Sequence, residues 1–270
     1  MTAIAQDIKI PRPPSETSPA RVVQDAIAVA QRNLIAYRRV PQLMVFSTIQ
    51  PVIFVLMFRY VFGGAIHVPG IPYVDFLMPG IMVQTVVFGS MGTGIGLATD
   101  VQSGLLERFR SLPMARSAVL AGRTLADLVR NVFVAFLMVV VGYAVGFRVQ
   151  TNVPAFLFGI FLVLLFGYVL SWIFATVGLL VGDPETAQAA AFPLMAPLVF
   201  ASSAFVPVKS MPGWLQAFAS HQPVSVTASA VRGLMVQGPV LSNALQSIAW
   251  SALILLVFVP LAVSRYRRAV

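Results

Sequence analysis

The chain has 270 residues, of which 58% are hydrophobic and 10% charged, with a mean hydropathy of +0.87. A soluble domain carries about 25% charged residues, so this composition excludes a water-soluble fold and identifies an integral membrane protein. The formal charge of +9 reads as the cytoplasmic Lys/Arg excess of a multi-pass protein rather than a nucleic-acid surface, and the absence of cysteine excludes a disulfide framework or thiolate metal site.

Residues 1–20 contain Pro11, Pro13, Pro14 and Pro19 but no apolar core, which predicts a disordered polar tail rather than a signal peptide. Residues 21–39, RVVQDAIAVAQRNLIAYRR, place Val23, Ile27, Ala30, Leu34 and Tyr37 at spacings of three and four, hence on one helical face. Arg21, Asp25 and Arg32 lie off that stripe. A basic amphipathic helix beside a membrane segment is expected to lie in the interface, as an anchor or as a lever acting on the first span.

Six apolar runs follow, at 43–62, 76–98, 125–147, 155–181, 186–206 and 244–263, each close to the ~20 residues needed to cross a bilayer. The fifth contains Pro193 and Pro197, with Pro207 just beyond, and is expected to kink or break. The stretch 207–243, with Pro212, Trp214, Phe218, His221 and Pro223, reads as interfacial or re-entrant helix more than as a seventh span. The fold class is therefore all-α: one six-helix transmembrane domain over 41–268, preceded by the interfacial helix. With both termini inside, thirteen Lys and Arg fall on the cytoplasmic side and three (Arg148, Lys209, Arg232) on the other; Arg59 and Arg130 read as span ends.

The second and third spans are joined by a charged island at 100–123, DVQSGLLERFRSLPMARSAVLAGR, with two acids and four arginines. Leu105, Leu106 and Phe109 form an apolar patch, Glu107, Arg108 and Arg110 surround it, and Pro113 is expected to stop the short helix. Such a helix suits docking into a groove on another protein, although on composition alone a solvated connector is the simpler reading.

Catalytic patterns are missing. No two of the nine acids share a helical face inside a span, and His67 and His221 stand alone. Neither Lys9 nor Lys209 follows glycine, so there is no Walker A loop. Ionisable residues near a midplane, which coupled secondary transporters need, reduce to Arg59 and the end-lying Asp127 and Arg130. Energy for any transport must then come from outside the chain. Gly89, Gly92, Gly94 and Gly96 punctuate the second span. The 92–96 step, like 142–146 in the third, reads as close helix packing, with a hinge or dimer face as the alternative.

The island's LLERFRSLPMARSAVLAGR, together with FVPVKSMPGWLQAFASHQPVSVTASAVRGL at 205–234, resembles the ABC-2 family of ATP-binding-cassette permeases. The second match comprises Pro207, Pro212, Gly213, Trp214, Leu215, Gln216, Gln222, Pro223, Arg232, Gly233 and Leu234. Its HQPVS (221–225), with GFR (146–148), is similar to the daunorubicin-resistance-type permeases of actinobacteria.

The resemblance implies a plasma-membrane exporter subunit that works as a homodimer or heterodimer with two copies of a separate P-loop ATPase. ATP and Mg would be held by that partner, with no cofactor in this chain. It makes 21–39 a connecting helix and 207–243 short extracellular re-entrant helices. It places Glu107, Arg108, Phe109 and Arg110 on the docking surface for the ATPase. The cargo is then expected to be a hydrophobic small molecule or lipid, with Met78, Met82, Phe88, Met91, Phe192, Met195, Phe200 and Phe205 as candidate pathway residues. Alternatives are export of an envelope polymer or lipid-linked glycan, or a non-transporting scaffold or ion-coupled secondary transporter.

Overall fold

The computed structural model describes residues 19–39, 41–110 and 116–268, so the expectations for the N-terminal tail before Pro19 and for the Pro113 stop fall outside the described residues. In chain order the helices are α1 (Pro19–Arg39), α2 (Pro41–Leu56), α3 (Tyr73–Gln102), α4 (Leu105–Arg110), α5 (Arg116–Ala144), α6 (Val153–Val181), α7 (Pro184–Phe200), α8 (Gly213–His221), α9 (Pro223–Met235) and α10 (Leu241–Arg268). A π-helical turn, Met57–Phe62, continues α2, and no strand occurs among the described residues.

Among the described residues four helices are long and apolar enough to cross a bilayer: Tyr73–Gln102, Ser117–Ala144, Val153–Val181 and Leu241–Arg267. The other two apolar runs are shorter as helices. Ser47–Phe62 forms one of them, and α7 spans 17 residues with Pro193 and Pro197 inside. The run expected at 186–206 stops being helical at Phe200 and finishes as a turn, in which the Ala201 amide bonds Pro197 O at 2.9 Å.

Helix ends follow from their capping residues. Asn152 accepts from the Ala155 amide at 2.9 Å to start α6, and Asp183 accepts from the Thr186 amide at 2.8 Å to start α7. Between them, α6 ends on Gly182 at φ +71°, a left-handed conformation in which a side chain would be strained. Gln222 caps α9 through the Val224 amide at 3.1 Å, with Pro223 in the first turn. Its own amide nitrogen also reaches Leu198 O at 2.8 Å, supplying a donor to a carbonyl left over where α7 ends.

α3 and α6 form the centre of the bundle. A Cβ at Gly94 would stand 2.6 Å from Phe174 O, and one at Gly178 would overlap the Gly94 carbonyl, so the two backbones touch at a glycine crossing. A large apolar core around Leu77, Ile81, Val163, Phe166 and Phe174 fills one part of the bundle. A second cluster around Leu97, Leu120, Trp172 and Tyr266 fills the end that bears α4. The outward faces of α5, α6 and α10 expose Phe133, Phe136, Leu157, Phe161, Leu253 and Leu256, an apolar surface that suits lipid or another helix rather than water.

At the opposite end α9 is buried along most of its length. Arg232 donates from Nε to Phe76 O at 2.9 Å and from Nη2 to Ser203 O at 2.7 Å, with its guanidinium 3.7 Å above the Phe76 ring. Asp75 accepts from the Arg148 amide at 3.1 Å and from Gln150 at 3.0 Å, fastening the α5–α6 loop to the start of α3.

Candidate functional site

α4 follows Gly104, whose φ of +66° turns the chain sharply out of α3. Glu107 and Arg108 are exposed on it, while nothing is described of the Phe109 and Arg110 side chains. The expected apolar docking patch is corrected at one position. Leu106 points inward, 2% exposed, and packs in the cluster with Leu97, Val119, Leu120 and Trp172. A six-residue helix is too short to hold itself and gains its stability by burying one apolar side chain against the bundle.

α1 lies against α5 along a face that keeps Ala30 of the periodic stripe but leaves its Val23 and Ile27 outside. Ala26, Val29, Ala30 and Asn33 are buried, whereas Val23, Ile27 and Ile35 are exposed. Small residues win the contact because α5 offers Gly122, where a Cβ would meet Ala26 O at 2.5 Å and Val29 Cβ at 2.6 Å. The larger apolar side chains are left on the outside, where lipid can cover them.

Where α1, α3 and α5 meet, a buried polar network forms around Asp127, which is 1% exposed. Tyr37 Oη donates to Asp127 Oδ1 at 2.7 Å and Thr93 Oγ1 donates to Oδ2 at 2.5 Å. Arg123 and Arg130 approach the same carboxylate at 3.8 and 3.7 Å. Arg123 also lies 3.7 Å from Asp100, which is 3.7 Å from Arg32 on α1. Burial first, and then the Asp127 carboxylate, push the Tyr37 phenol up to about 12, so it remains a donor at any physiological pH.

This network corrects one sequence expectation. Arg130 sits halfway along α5, 8% exposed, donating to Gly89 O at 2.5 Å and lying 5.8 Å from the Tyr37 ring centroid. The 92–96 glycine step is not a helix crossing. A Cβ at Gly92 would be 3.0 Å from Arg130 Nη1, and one at Gly96 would overlap the Arg123 guanidinium. These two glycines berth arginines, and it is Gly94, between them, that meets α6. The periodic glycines were visible in the sequence, but the arginines they receive stand some thirty residues further on.

Beside the network, Ser47 and Gln50 of α2, Gln84 and Phe88 of α3, and Arg130 and Asn131 of α5 line a cleft of about 140 Å³. Of the candidate pathway residues, Phe88 lies on this cleft and stacks with Phe192 of α7 at a ring-centroid distance of 6.2 Å. Phe192 and Phe200 are exposed at 54% and 48%; Met78, Met82, Met91, Met195 and Phe205 are buried in the core. Phe205 stacks on Phe58 of the π-helical turn at 4.4 Å and lies 5.8 Å from Phe200.

Residues 24–236 match the family described as ABC-2 type transporter. The chain is 35% identical to a daunorubicin resistance ABC transporter permease protein of Streptomyces coeruleorubidus, covering 92% of this chain and 88% of that one. It is 30% identical to a probable doxorubicin resistance ABC transporter permease protein of Mycobacterium tuberculosis over 100% and 99% of the two chains. Similarity extends at 26% identity to a putative transport permease of Cyanophora paradoxa, covering 78% and 74%.

Proposed function

Because the chain belongs to the ABC-2 type transporter family, we propose that it is the membrane subunit of an exporter that moves a hydrophobic or amphiphilic compound, a drug or a lipid, out of the cell. The observation that carries this reading is the near full-length similarity to permeases named for daunorubicin and doxorubicin resistance. Energy comes from ATP hydrolysed by a separate subunit, two copies of which serve a dimer of permeases. α2 with its π-helical turn, α3, α5, α6, α7 and α10 are the six spans. α8 and α9 form the extracellular re-entrant segment, and both termini are in the cytoplasm.

In this reading α4 is the contact with the ATPase. The exposure of Glu107 and Arg108 supports it, as does the anchoring of α4 by Leu106, since a rigidly rooted helix transmits displacement where a loose loop would absorb it. Motion of α4 reaches α3 directly, and the Asp127 network joins α3 to α5 and α1. The stacked Phe88 and Phe192 pair, reachable from outside the core, marks where an apolar cargo meets the bundle.

The test is reconstitution of the permease with its ATPase in liposomes, measuring ATP-dependent movement of doxorubicin and of a labelled phospholipid. Movement of either, lost in a Glu107→Ala/Arg110→Ala double variant that still melts like the parent, supports the assignment. Unchanged transport in that variant removes the coupling role from α4. Absence of any ATP-dependent movement, or ATPase stimulation, with these cargos removes the exporter reading.

A further inference from the structure

A second cleft, of about 430 Å³, opens between α1 and the α4-bearing ends of α3 and α5, with Arg32, Asn33, Ile35, Arg39, Asp100 and Arg123 in its walls. Its size falls in the ~300–1,000 Å³ range of small-molecule sites. We infer that this cleft binds the phosphate of an anionic membrane lipid.

Charge is the first reason. Around the cleft and the adjoining network stand four arginines, Arg32, Arg39, Arg123 and Arg130, and two acids, Asp100 and Asp127, a formal net charge of +2. Donors are the second. Arg32, Arg39 and Arg123 line the cleft, and a guanidinium group donates without accepting. Such a lining calls for a ligand rich in acceptor oxygens and poor in donors. A phosphate is that ligand, and arginine forks match its geometry.

The surroundings select the source. Ile35 on the rim is 51% exposed, and on the same helix Val23 and Ile27 are 57% and 43% exposed. A soluble anion has no use for such a border, whereas acyl chains running from a bound phosphate would cover it. An amphipathic helix beside the first membrane run also sits at headgroup depth, where basic clefts between helices take anionic lipids. The cleft is separate from the cargo path and does not depend on what is exported.

Purified full-length chain in phosphatidylcholine nanodiscs, titrated with dioleoylphosphatidylglycerol and followed by native mass spectrometry, tests the inference. Phosphatidylglycerol should bind saturably, and glycerol phosphate at the same concentrations should not displace it. Arg39→Gln is the key variant, because Arg39 is exposed and makes no ion pair among the described residues, so the fold does not rest on it. It should weaken binding about fivefold, as expected for removal of one basic residue at a membrane surface. Arg39→Lys should retain most of the affinity, Arg32→Gln/Arg39→Gln should lose more, and Arg148→Gln at the opposite end should change nothing. Equal affinity in Arg39→Gln and parent, equal binding of phosphatidylcholine, or displacement by free glycerol phosphate would each overturn the proposal.

Discussion

Replacing Asp127 by Asn removes one charge and almost no volume, and the structure allows its cost to be worked out. Asp127 is 1% exposed and receives hydroxyl donors from Tyr37 and Thr93 and guanidinium groups from Arg123 and Arg130. An asparagine can still accept from Tyr37, so the loss is mainly electrostatic. Arg123 keeps Asp100 and Arg130 keeps Gly89 O, but the shared counter-charge between them is gone. Removing one partner of a buried ion pair costs about 3–5 kcal/mol. At roughly 2–4 °C per kcal/mol for a chain near this size, the Tm in detergent should fall by roughly 6–20 °C. Tyr37→Phe removes one charge-assisted hydrogen bond and should cost about 1.5–3 kcal/mol. The double variant should cost less than the sum, since the hydrogen bond that Tyr37→Phe removes is already weakened once its acceptor carries no charge. Thermal scans read by size-exclusion chromatography give all three values. A melt of Asp127→Asn within a degree or two of the parent would refute the claim that this carboxylate holds α1, α3 and α5 together, and strict additivity would refute the direct link to Tyr37.

Gly94→Ala should destabilise by about 1–3 kcal/mol, because the new methyl meets the backbone of α6 at Phe174 O, 2.6 Å away, and overpacking against backbone has no flexible escape. Gly213→Ala, with nothing within 4 Å, should stay within about 0.5 kcal/mol in the same melts. Arg232→Met leaves Phe76 O and Ser203 O without their donor in a buried setting and should cost about 3 kcal/mol, with faster protease cleavage between 207 and 223 as the local readout. Asp183 carries a pH signature. The Thr186 hydroxyl and amide lower its pKa, so its capping contribution is present above the ordinary carboxylate value and is lost as pH falls through the lowered one. Stability measured downward from pH 5 should therefore fall more steeply in the parent than in Asp183→Asn below about pH 4.

Apolar run length located most of the helices. The run at 155–181 is α6 within two residues, and those at 76–98 and 244–263 lie inside α3 and α10. It failed where helix and apolarity part company: α5 begins at Arg116, nine residues before its apolar run, because charged residues extend a helix as well as apolar ones. Of the candidate site, exposed Glu107 and Arg108 were legible from their flanking spans. The inward turn of Leu106, the small-residue face of α1 and the placement of Arg130 were not. Each depends on a partner distant in the chain (Trp172, Gly122 and Gly89), and periodicity reports only what lies within a few turns. The resemblance motifs acquired physical meaning only in three dimensions: Gln222 finishes α7 while starting α9, and Arg232 fastens α9 to α3.

The berth that Gly96 makes for Arg123 has a consequence for how the chain can vary. A helix surface normally tolerates drift one residue at a time, because each side chain answers to its own surroundings. Here the space at one position is the side chain of another, twenty-seven residues later. A methyl at 96 would have to displace the guanidinium that lies near Asp100 and Asp127, and a shortened residue at 123 opens a hole beside a bare glycine. The two positions share one space, so what stands at either sets the room left to the other.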